Sequence, residues 1–255
     1  SIRYYVSLTS APGCENRDSV FIDVRSIVNL DAGVDTTICL TDSIRLRPVS
    51  DGLTFRWQPT ATLINPNTKN PTARPTGTTV YSVIANIGSC QATDAVTVTT
   101  VPYPNAQARS DATICFGDSV QVFATGGVSY RWIPASGISN PDIPNPFVKP
   151  AITTTYRVAV RDNEGCPKAA FDSVRITVVP PVPAFAGNDT AIVVGQELQL
   201  NASGGDYYLW TPGTGLNNPN IPDPIANLDE DITYILRVTT VDGCFAFDTL
   251  NMRVF

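Results

Sequence analysis

The sequence predicts an all-β protein built as a tandem array of antiparallel β-sandwich domains. One stretch of sequence occurs three times, at residues 35–57, 111–132 and 189–210. Short runs such as residues 119–123 alternate apolar and polar side chains, which is the period of a half-buried strand. The 21 Pro and 17 Gly interrupt every apolar stripe of helical spacing, so regular helix is excluded.

The spacing between matching residues is nearly constant along the chain. Cys115 follows Cys39 by 76 residues, and Trp132 follows Trp57 by 75. A fixed period of this length indicates repeated structural units. A unit of this size is near the lower limit for building a stable core, so covalent cross-links would help it to fold.

The period divides the chain into four segments. Three complete units are expected, and the first 29 residues match the end of a unit, so we expect strands F and G of a preceding repeat there. In that match Tyr5 corresponds to Tyr156 and Cys14 to Cys166. We therefore expect the chain to be part of a longer protein. The predicted segments are residues 1–29, 30–104, 105–183 and 184–255.

Seven strands, lettered A to G, are expected in each unit. In the middle unit strand A ends at Cys115, strand B covers residues 119–123 and strand C carries Trp132. Strand F covers residues 156–160, and strand G begins at Cys166 after a Gly-containing hairpin. The prolines between strands C and F indicate short edge strands, because proline cannot donate to a ladder.

One Trp on strand C and one Tyr on strand F recur in every unit. A central aromatic residue on strand C is typical of the core of a sandwich, whereas the other interpretation is an exposed platform for a ligand. We expect core packing for all of them. The residues are Trp57, Trp132, Trp210, Tyr81, Tyr156 and Tyr234.

Charge and hydropathy exclude several functional classes. The chain has a net charge of −6, no His and no basic cluster, so it is not expected to bind nucleic acid or an anionic membrane surface. No apolar run approaches the 18 or so residues that a membrane span needs. No histidine is present to act as a base, and no pair of carboxylates is placed in a cleft, so we expect no enzyme.

The motifs resemble the Ig-like/PKD-like repeats of large surface proteins of Bacteroidota, typified by gliding-motility adhesins of the SprB type and exported by the type IX secretion system. The matching motifs are DATICFGDS, Y-x-W-x-P, SNPDIPNP, TTTY-x-V and D-x-x-GC followed by DSV. The resemblance spans the whole chain. The last unit departs from it, since Val193 stands where Cys39 and Cys115 stand in the others.

The resemblance implies a structural stalk or filament segment of a secreted cell-surface adhesin, in an elongated rod of repeats. It implies an extracellular location and no cofactor. The expected partners are the neighbouring repeats, surface polysaccharide and other copies of the adhesin. The alternative is a carbohydrate-binding or spacer region of a large type IX-secreted hydrolase, for which the available aromatic residues are Tyr103, Tyr207, Tyr208, Phe245 and Phe247.

Six cysteines in an acidic chain that resembles extracellular proteins indicate disulfides. Metal binding is the weaker interpretation, because the chain has no His and no C-x-x-C motif. Two pairing schemes are open. Pairing within a unit gives Cys39–Cys90 and Cys115–Cys166, and pairing between units gives Cys39–Cys166 and Cys115–Cys244.

The sandwich topology that the resemblance implies favours pairing between units. The A–B turn and the F–G hairpin lie at opposite ends of such a sandwich, roughly 20–25 Å apart for strands of six to eight residues. A disulfide requires Cα atoms within about 7 Å. We therefore predict Cys39–Cys166 and Cys115–Cys244, with the partners of Cys14 and Cys90 in repeats outside this chain.

Aspartates also recur at matching positions, before strand A and within strand G. Carboxylates at the joints could bind calcium, which takes oxygen ligands. Turn capping and hydrogen bonding to the backbone account for them equally well. The residues are Asp35, Asp111 and Asp189 before strand A, and Asp18, Asp94, Asp172 and Asp248 in strand G.

Overall fold

The computed structural model describes residues 1–22, 24 and 27–255, and every regular element in that part of the chain is a β-strand. The predicted all-β fold of tandem sandwiches is confirmed. The chain divides into two compact units. The first contains Ser1–Asn105, Gly126–Val128 and Val160–Ala170, and the second contains Ala106–Thr125, Ser129–Ala159 and Phe171–Phe255.

The segments at 30–104, 105–183 and 184–255 are called the first, middle and third repeats below, and their boundaries stay a prediction. Each has its own four-stranded sheet. The predicted segment 1–29 includes positions 23, 25 and 26, which lie outside the described residues.

The N-terminal segment is a hairpin of two strands, β1 (Ile2–Ser10) and β2 (Cys14–Ile22). They pair antiparallel through all nine positions, with Ser10 opposite Cys14. Gly13 turns the chain between them with a φ of 101°, a left-handed value that glycine adopts without a steric cost. Every side chain of this hairpin is exposed.

The register of this hairpin corrects one match made from the sequence. Tyr4 lies opposite Val20, as Tyr81 lies opposite Val96 in the first repeat. Tyr4, and not Tyr5, therefore occupies the position of the recurrent strand F tyrosine. Two adjacent tyrosines made the sequence match ambiguous by one residue, and a shift of one residue moves a side chain to the other face of a strand.

The first repeat forms three sheets around one core. The four-stranded sheet has the order β4-β11-β10-β7, the three-stranded sheet has the order β5-β9-β8, and β3 pairs with β6. Trp57, Tyr81 and Val83 are fully buried in the core cluster. The strands are β3 (Leu30–Asp31), β4 (Thr36–Cys39), β5 (Ile44–Arg45), β6 (Val49–Ser50), β7 (Thr54–Gln58), β8 (Leu63–Ile64), β9 (Thr72–Ala73), β10 (Thr79–Ile87) and β11 (Cys90–Val101).

The middle repeat has the same four-stranded arrangement, β13-β19-β18-β16, with β12 paired to β15 and β14 to β17. Strand G was expected to begin at Cys166. It begins at Ala170, because residues 166–169 form a loop that contains Pro167. The strands are β12 (Gln107–Ala108), β13 (Ala112–Cys115), β14 (Val120–Gln121), β15 (Ala124–Thr125), β16 (Ser129–Ile133), β17 (Phe147–Val148), β18 (Thr154–Arg161) and β19 (Ala170–Val179).

The third repeat has the sheet order β20-β25-β24-β22, and β21 pairs with β23. Its core cluster includes Trp210, Tyr234, Leu236 and Met252. The strands are β20 (Thr190–Ile192), β21 (Leu198–Gln199), β22 (Tyr207–Thr211), β23 (Ile225–Ala226), β24 (Ile232–Thr239) and β25 (Phe245–Val254).

One strand pairing in each repeat is parallel. The short strands β4, β13 and β20 run parallel to β11, β19 and β25, whereas the other pairings with a given register are antiparallel. Alternation of apolar and polar residues does not reveal this direction, because a strand has the same period in either orientation. The parallel pairing places the end of strand A beside the end of strand G, at the opposite end of the sheet from the F–G hairpin.

Candidate functional site

The structure joins Cys39 to Cys166, with their Cα atoms 4.9 Å apart. Cys39 is the last residue of β4, and Cys166 lies in the loop between β18 and β19. Both side chains are buried, at 0% and 8% exposure. The bond therefore connects the end of strand A in the first repeat to the F–G hairpin of the middle repeat.

Polar contacts accompany this disulfide. The Lys168 ammonium lies 2.8 Å from one carboxylate oxygen of Asp42, and the Tyr103 hydroxyl donates to the other at 2.9 Å. The hydrogen bond from Lys168 lowers the pKa of Asp42. The same carboxylate raises the pKa of Lys168 and of Tyr103. The half-buried Asp42 and the exposed Lys168 and Tyr103 form a small electrostatic clasp beside the bond.

The second disulfide joins Cys115 to Cys244, with their Cα atoms 5.5 Å apart. Cys115 ends β13, and Cys244 directly precedes β25. Ala246 stands two residues after Cys244, where Lys168 stands two residues after Cys166. An ion pair of the Asp42–Lys168 kind therefore has no counterpart at these aligned positions.

Each of these strand A ends is followed by the same tight turn. The Asp42 amide donates to the Cys39 carbonyl, the Asp118 amide to that of Cys115, and the Gln196 amide to that of Val193. In the third repeat Val193 replaces the cysteine, and its side chain is 60% exposed.

The residue within this turn has a left-handed backbone. Its φ is 77° at Thr41, 90° at Gly117 and 75° at Gly195. A β-branched residue is unfavourable in this region, because its Cβ crowds the following carbonyl. Thr41 therefore stores backbone strain that the other two repeats avoid.

Cys14 and Cys90 occupy the hairpin position of Cys166 and Cys244. Cys14 is a free and exposed cysteine at the start of β2. Cys90 begins β11, lies opposite Ile87 and packs against the core of the first repeat.

The recurrent strand G aspartates hold the chain segment that enters each repeat. The Ala32 amide donates to Asp94 at 2.7 Å, the Ala108 amide to Asp172 at 2.7 Å, and the Ala186 amide to Asp248 at 2.8 Å. These three carboxylates are half-buried. The fourth, Asp18, accepts a bond from the Ser19 amide in the N-terminal hairpin.

The aspartates before strand A hold strand G in turn. Asp35 accepts from the Thr97 amide, Asp111 from the Arg175 amide and Asp189 from the Asn251 amide, at 2.7–2.9 Å. The side-chain amide of Asn251 also donates to Asp189 and lowers its pKa. Both sets of recurrent carboxylates thus accept hydrogen bonds from the backbone.

The recurrent aromatic residues are all in the cores, at 0–1% exposure. The strand F tyrosines each bond to the loop after strand C: Tyr81 to the Thr62 hydroxyl, Tyr156 to the Ser136 carbonyl and Tyr234 to the Thr214 carbonyl. Burial raises the pKa of Tyr156 and Tyr234. In all three repeats this bond therefore ties strand F to the loop after strand C, 19 or 20 residues earlier in the chain.

The tryptophans differ in one respect. The indole N–H groups of Trp132 and Trp210 donate to the Ile143 and Ile221 carbonyls at 3.0 and 3.1 Å. The indole nitrogen of Trp57 is buried without a hydrogen-bond partner. The matching loop position holds Thr68 in place of isoleucine.

Two kinds of site are absent from the part of the chain that the structure describes. Within residues 1–22, 24 and 27–255, no three His, Cys, Asp or Glu side chains are grouped as a metal site would require. The same residues contain no helix with the length and apolar character needed to cross a bilayer.

Sequence reasoning did not assign a role to the clasp of Asp42, Lys168 and Tyr103. A signal was present, since Asp42 lies three residues after Cys39 and Lys168 two residues after Cys166. Among the other aromatic residues considered for a ligand, Tyr207, Phe245 and Phe247 are exposed on the third repeat. Tyr208 is half-buried, and its hydroxyl donates to the Gly205 carbonyl.

The sheet topology and the two disulfides define the chain as a tandem array of Ig-like β-sandwich repeats that are cross-linked by cystine bonds. No protein-family model and no curated protein sequence matches it. Solved structures to which the chain is similar include titin domains I67–I69 in an E-to-A mutated variant, a three-Ig structure. It is 10% identical with a TM-score of 0.44, over 91% of this chain and 100% of that one.

Two further structures show similar values. The N-terminal eight Ig domains of Down Syndrome Cell Adhesion Molecule are 12% identical with a TM-score of 0.45, over 99% of this chain and 40% of that one. Extracellular domains 3–5 of Drosophila OTK are 9% identical with a TM-score of 0.36, over 91% of this chain and 98% of that one.

Proposed function

We propose that this chain is a structural segment of a large extracellular surface protein, in which disulfides couple consecutive repeats so that the segment transmits force. The observation that carries the proposal is the placement of the two bonds. Each connects the end of strand A in one repeat to the F–G hairpin of the next. Persistent disulfides are typical of oxidising, extracellular environments, which supports a location at the cell surface.

The two disulfides are interleaved along the chain. The first spans residues 39–166 and the second spans residues 115–244, so their loops overlap at residues 115–166. A force applied to the two chain ends passes from Cys39 to Cys166, backwards along the middle repeat to Cys115, and across to Cys244. Most residues of the first and third repeats lie outside this path, so force cannot extend them while the bonds are intact.

The finer assignment rests on the repeat motifs. We propose a stalk or filament segment of a secreted adhesin of a gliding or surface-colonising Bacteroidota bacterium, exported by the type IX system and without catalytic activity. Surface polysaccharide or other adhesin copies are its proposed partners. Cys14 and Cys90 share the hairpin position of Cys166 and Cys244, so we propose that they bond to strand A cysteines of preceding repeats.

Single-molecule force spectroscopy of the full chain, pulled from its ends, tests the mechanical role. The oxidised path consists of residues 1–39, 115–166 and 244–255. At about 3.5 Å per residue it extends to about 350 Å, against about 900 Å after reduction. An oxidised chain that extends as far as the reduced one would contradict the proposal.

Two variants serve as matched controls. Cys39→Ser leaves only the second bond, and Cys115→Ser leaves only the first, so each oxidised chain should extend to about 450 Å. Pairing within repeats would give an oxidised wild-type length of about 540 Å, which distinguishes that scheme. Binding of the chain to a glycan array, with extension unaffected by reduction, would favour the carbohydrate-binding alternative.

A further inference from the structure

The outward face of the third repeat's large sheet is a regular grid of nine side chains from β22, β24 and β25. Cross-strand pairing arranges them in three rows, and Arg237 is in the centre. The intervening residues, such as Trp210 and Leu236, point into the core. The rows are Tyr207–Thr239–Phe245, Leu209–Arg237–Phe247 and Thr211–Ile235–Thr249.

Five large apolar side chains of this grid are open to solvent. Their exposures are 63% for Tyr207, 42% for Leu209, 46% for Ile235, 52% for Phe245 and 59% for Phe247. At about 200 Å² for a whole large side chain, they expose roughly 500 Å² of surface. This is near the size of the largest apolar patch on a typical monomer.

The fold does not require an apolar face here, as the first repeat shows. Its nine matching positions are equally outward, and Ile84 is the one large apolar residue among them. The remaining positions hold polar or small side chains. The matching rows are Thr54–Asn86–Gln91, Arg56–Ile84–Thr93 and Gln58–Ser82–Ala95.

The geometry of the rings favours a protein partner over a sugar. The Arg237 guanidinium lies 4.4 Å from the centre of the Phe245 ring and covers one of its faces. Phe245 and Phe247 meet edge to face, with 77° between their planes, so they form no coplanar platform for a sugar ring. Tyr, Phe and Arg are the residue types enriched at the centres of protein interfaces.

We propose that this face binds the same face of a second copy of the chain. The chain is acidic, with a net charge of −6, so copies repel one another over most of their surface. The nine grid positions contain no Asp or Glu, so two copies of the grid would not bring carboxylates together. The matching face of the first repeat also has none, and the apolar area is what distinguishes the face of the third repeat. The planar, weakly hydrated guanidinium of Arg237 tolerates burial against an aromatic ring.

The available area is sufficient for such a dimer. Two copies of the patch contribute roughly 1,000 Å² of apolar surface, and a polar rim of threonines adds to it. A standard interface buries about 1,200–2,000 Å² in total. Two β-sheets can pack face to face at about 10 Å. The inference does not depend on the proposed mechanical role.

Sedimentation equilibrium of the full chain tests the proposal, with Cys14→Ser introduced throughout to prevent intermolecular disulfides through this exposed thiol. We expect a reversible dimer with a Kd below about 100 µM. Replacing Leu209 and Phe247 by Thr should weaken it at least tenfold, since both side chains flank Arg237 in the middle row of the grid.

The matched control is Phe171→Thr in the middle repeat. Phe171 is also exposed, and the Arg157 guanidinium lies 3.8 Å from its ring centre, so the same type of pair is removed elsewhere. This variant should leave the dimer unchanged. The proposal would be overturned if the chain with Cys14→Ser alone stayed monomeric at about 100 µM. It would also be overturned if the dimer persisted after Leu209 and Phe247 were replaced. A monomer that binds a polysaccharide through this face would replace it with a glycan site.

Discussion

Cys39 and Cys166 are 127 residues apart in the sequence, and their Cα atoms are 4.9 Å apart in the structure. The hairpin cysteine of the same repeat, Cys90, does not bond to Cys39. The bond therefore makes the joint between two repeats a covalent feature of the fold.

The first prediction concerns this pairing. A proteolytic digest made without reduction should contain one cross-linked peptide with Cys39 and Cys166, and another with Cys115 and Cys244. Liquid chromatography and mass spectrometry identify both, and reduction should remove both. A peptide that links Cys39 to Cys90 would show that the strand topology is wrong.

The second prediction concerns the clasp beside the first disulfide. Because Lys168 and Tyr103 donate to Asp42, the pKa of this carboxyl should be below its usual 3.8. The Asp42 carboxylate is therefore charged and fully paired above about pH 4. The stability that this pairing adds to the fold is lost as the pH falls through the lowered pKa. NMR titration of the carboxyl measures this value.

Lys168→Gln is the matched variant for the titration. It should raise the pKa of Asp42 to its usual 3.8 or above, because burial, which raises the pKa, has a larger effect than the hydrogen bond that Tyr103 still donates. The disulfide does not titrate in this range, so the covalent link between Cys39 and Cys166 should persist in acid. An Asp42 pKa that does not change in the variant would exclude the ion pair.

The third prediction concerns the left-handed turn residue. Thr41→Gly should raise the free energy of unfolding of the first repeat by about 0.5–1 kcal/mol, because it removes the strain of a β-branched residue at positive φ. Gly117→Thr, at the matching turn, should destabilise the middle repeat by about 1–2 kcal/mol. Amide hydrogen exchange resolved by repeat measures both. Effects of the same sign would contradict the interpretation.

The fourth prediction compares two core tryptophans. Replacement by phenylalanine removes packing volume at both sites. At Trp132 it also removes a hydrogen bond to the Ile143 carbonyl, whereas the Trp57 nitrogen has no partner to lose. We expect Trp57→Phe to be less destabilising than Trp132→Phe by about 1–2 kcal/mol. Hydrogen exchange in β10 and β18 reports the difference, and equal losses would argue against it.

The fifth prediction concerns the aspartate in strand G. Asp94→Ala should destabilise the first repeat by about 1–3 kcal/mol, because the Ala32 amide, in a residue with 3% exposure, loses its acceptor. Asp35→Ala removes a solvent-exposed bond to the Thr97 amide and should cost under about 1 kcal/mol. Chemical denaturation monitored by NMR separates the two, and a larger loss at Asp35 would reverse the assigned roles.

The aspartates also show what sequence reasoning left open. Their recurrence was compatible with either calcium ligands or backbone acceptors. In the structure Asp94 reaches the Ala32 amide across 62 residues, and Asp35 reaches the Thr97 amide across 62. Partners at such separations depend on which strands are neighbours, and the local pattern of the sequence does not contain that information.

By itself, the sequence determined the all-β class and the repeated architecture. These depend on short-range properties: the two-residue period of strands, the breaking of helices by proline, and a period near 76 between Cys39 and Cys115. Such properties are visible within a few residues or through simple repetition. They needed no knowledge of which segments meet in space.

Only the tertiary structure decided the direction and register of the strands, and it joined the cysteines by one of the two pairing schemes that the sequence allowed. It made the pairing of β4 with β11 parallel, placed Tyr4 rather than Tyr5 in the strand F position, and brought Cys39 to Cys166. Each of these depends on strand direction, hairpin register or a distance across more than a hundred residues. A disulfide forms only where Cα atoms come within about 7 Å, and the fold as a whole sets that distance.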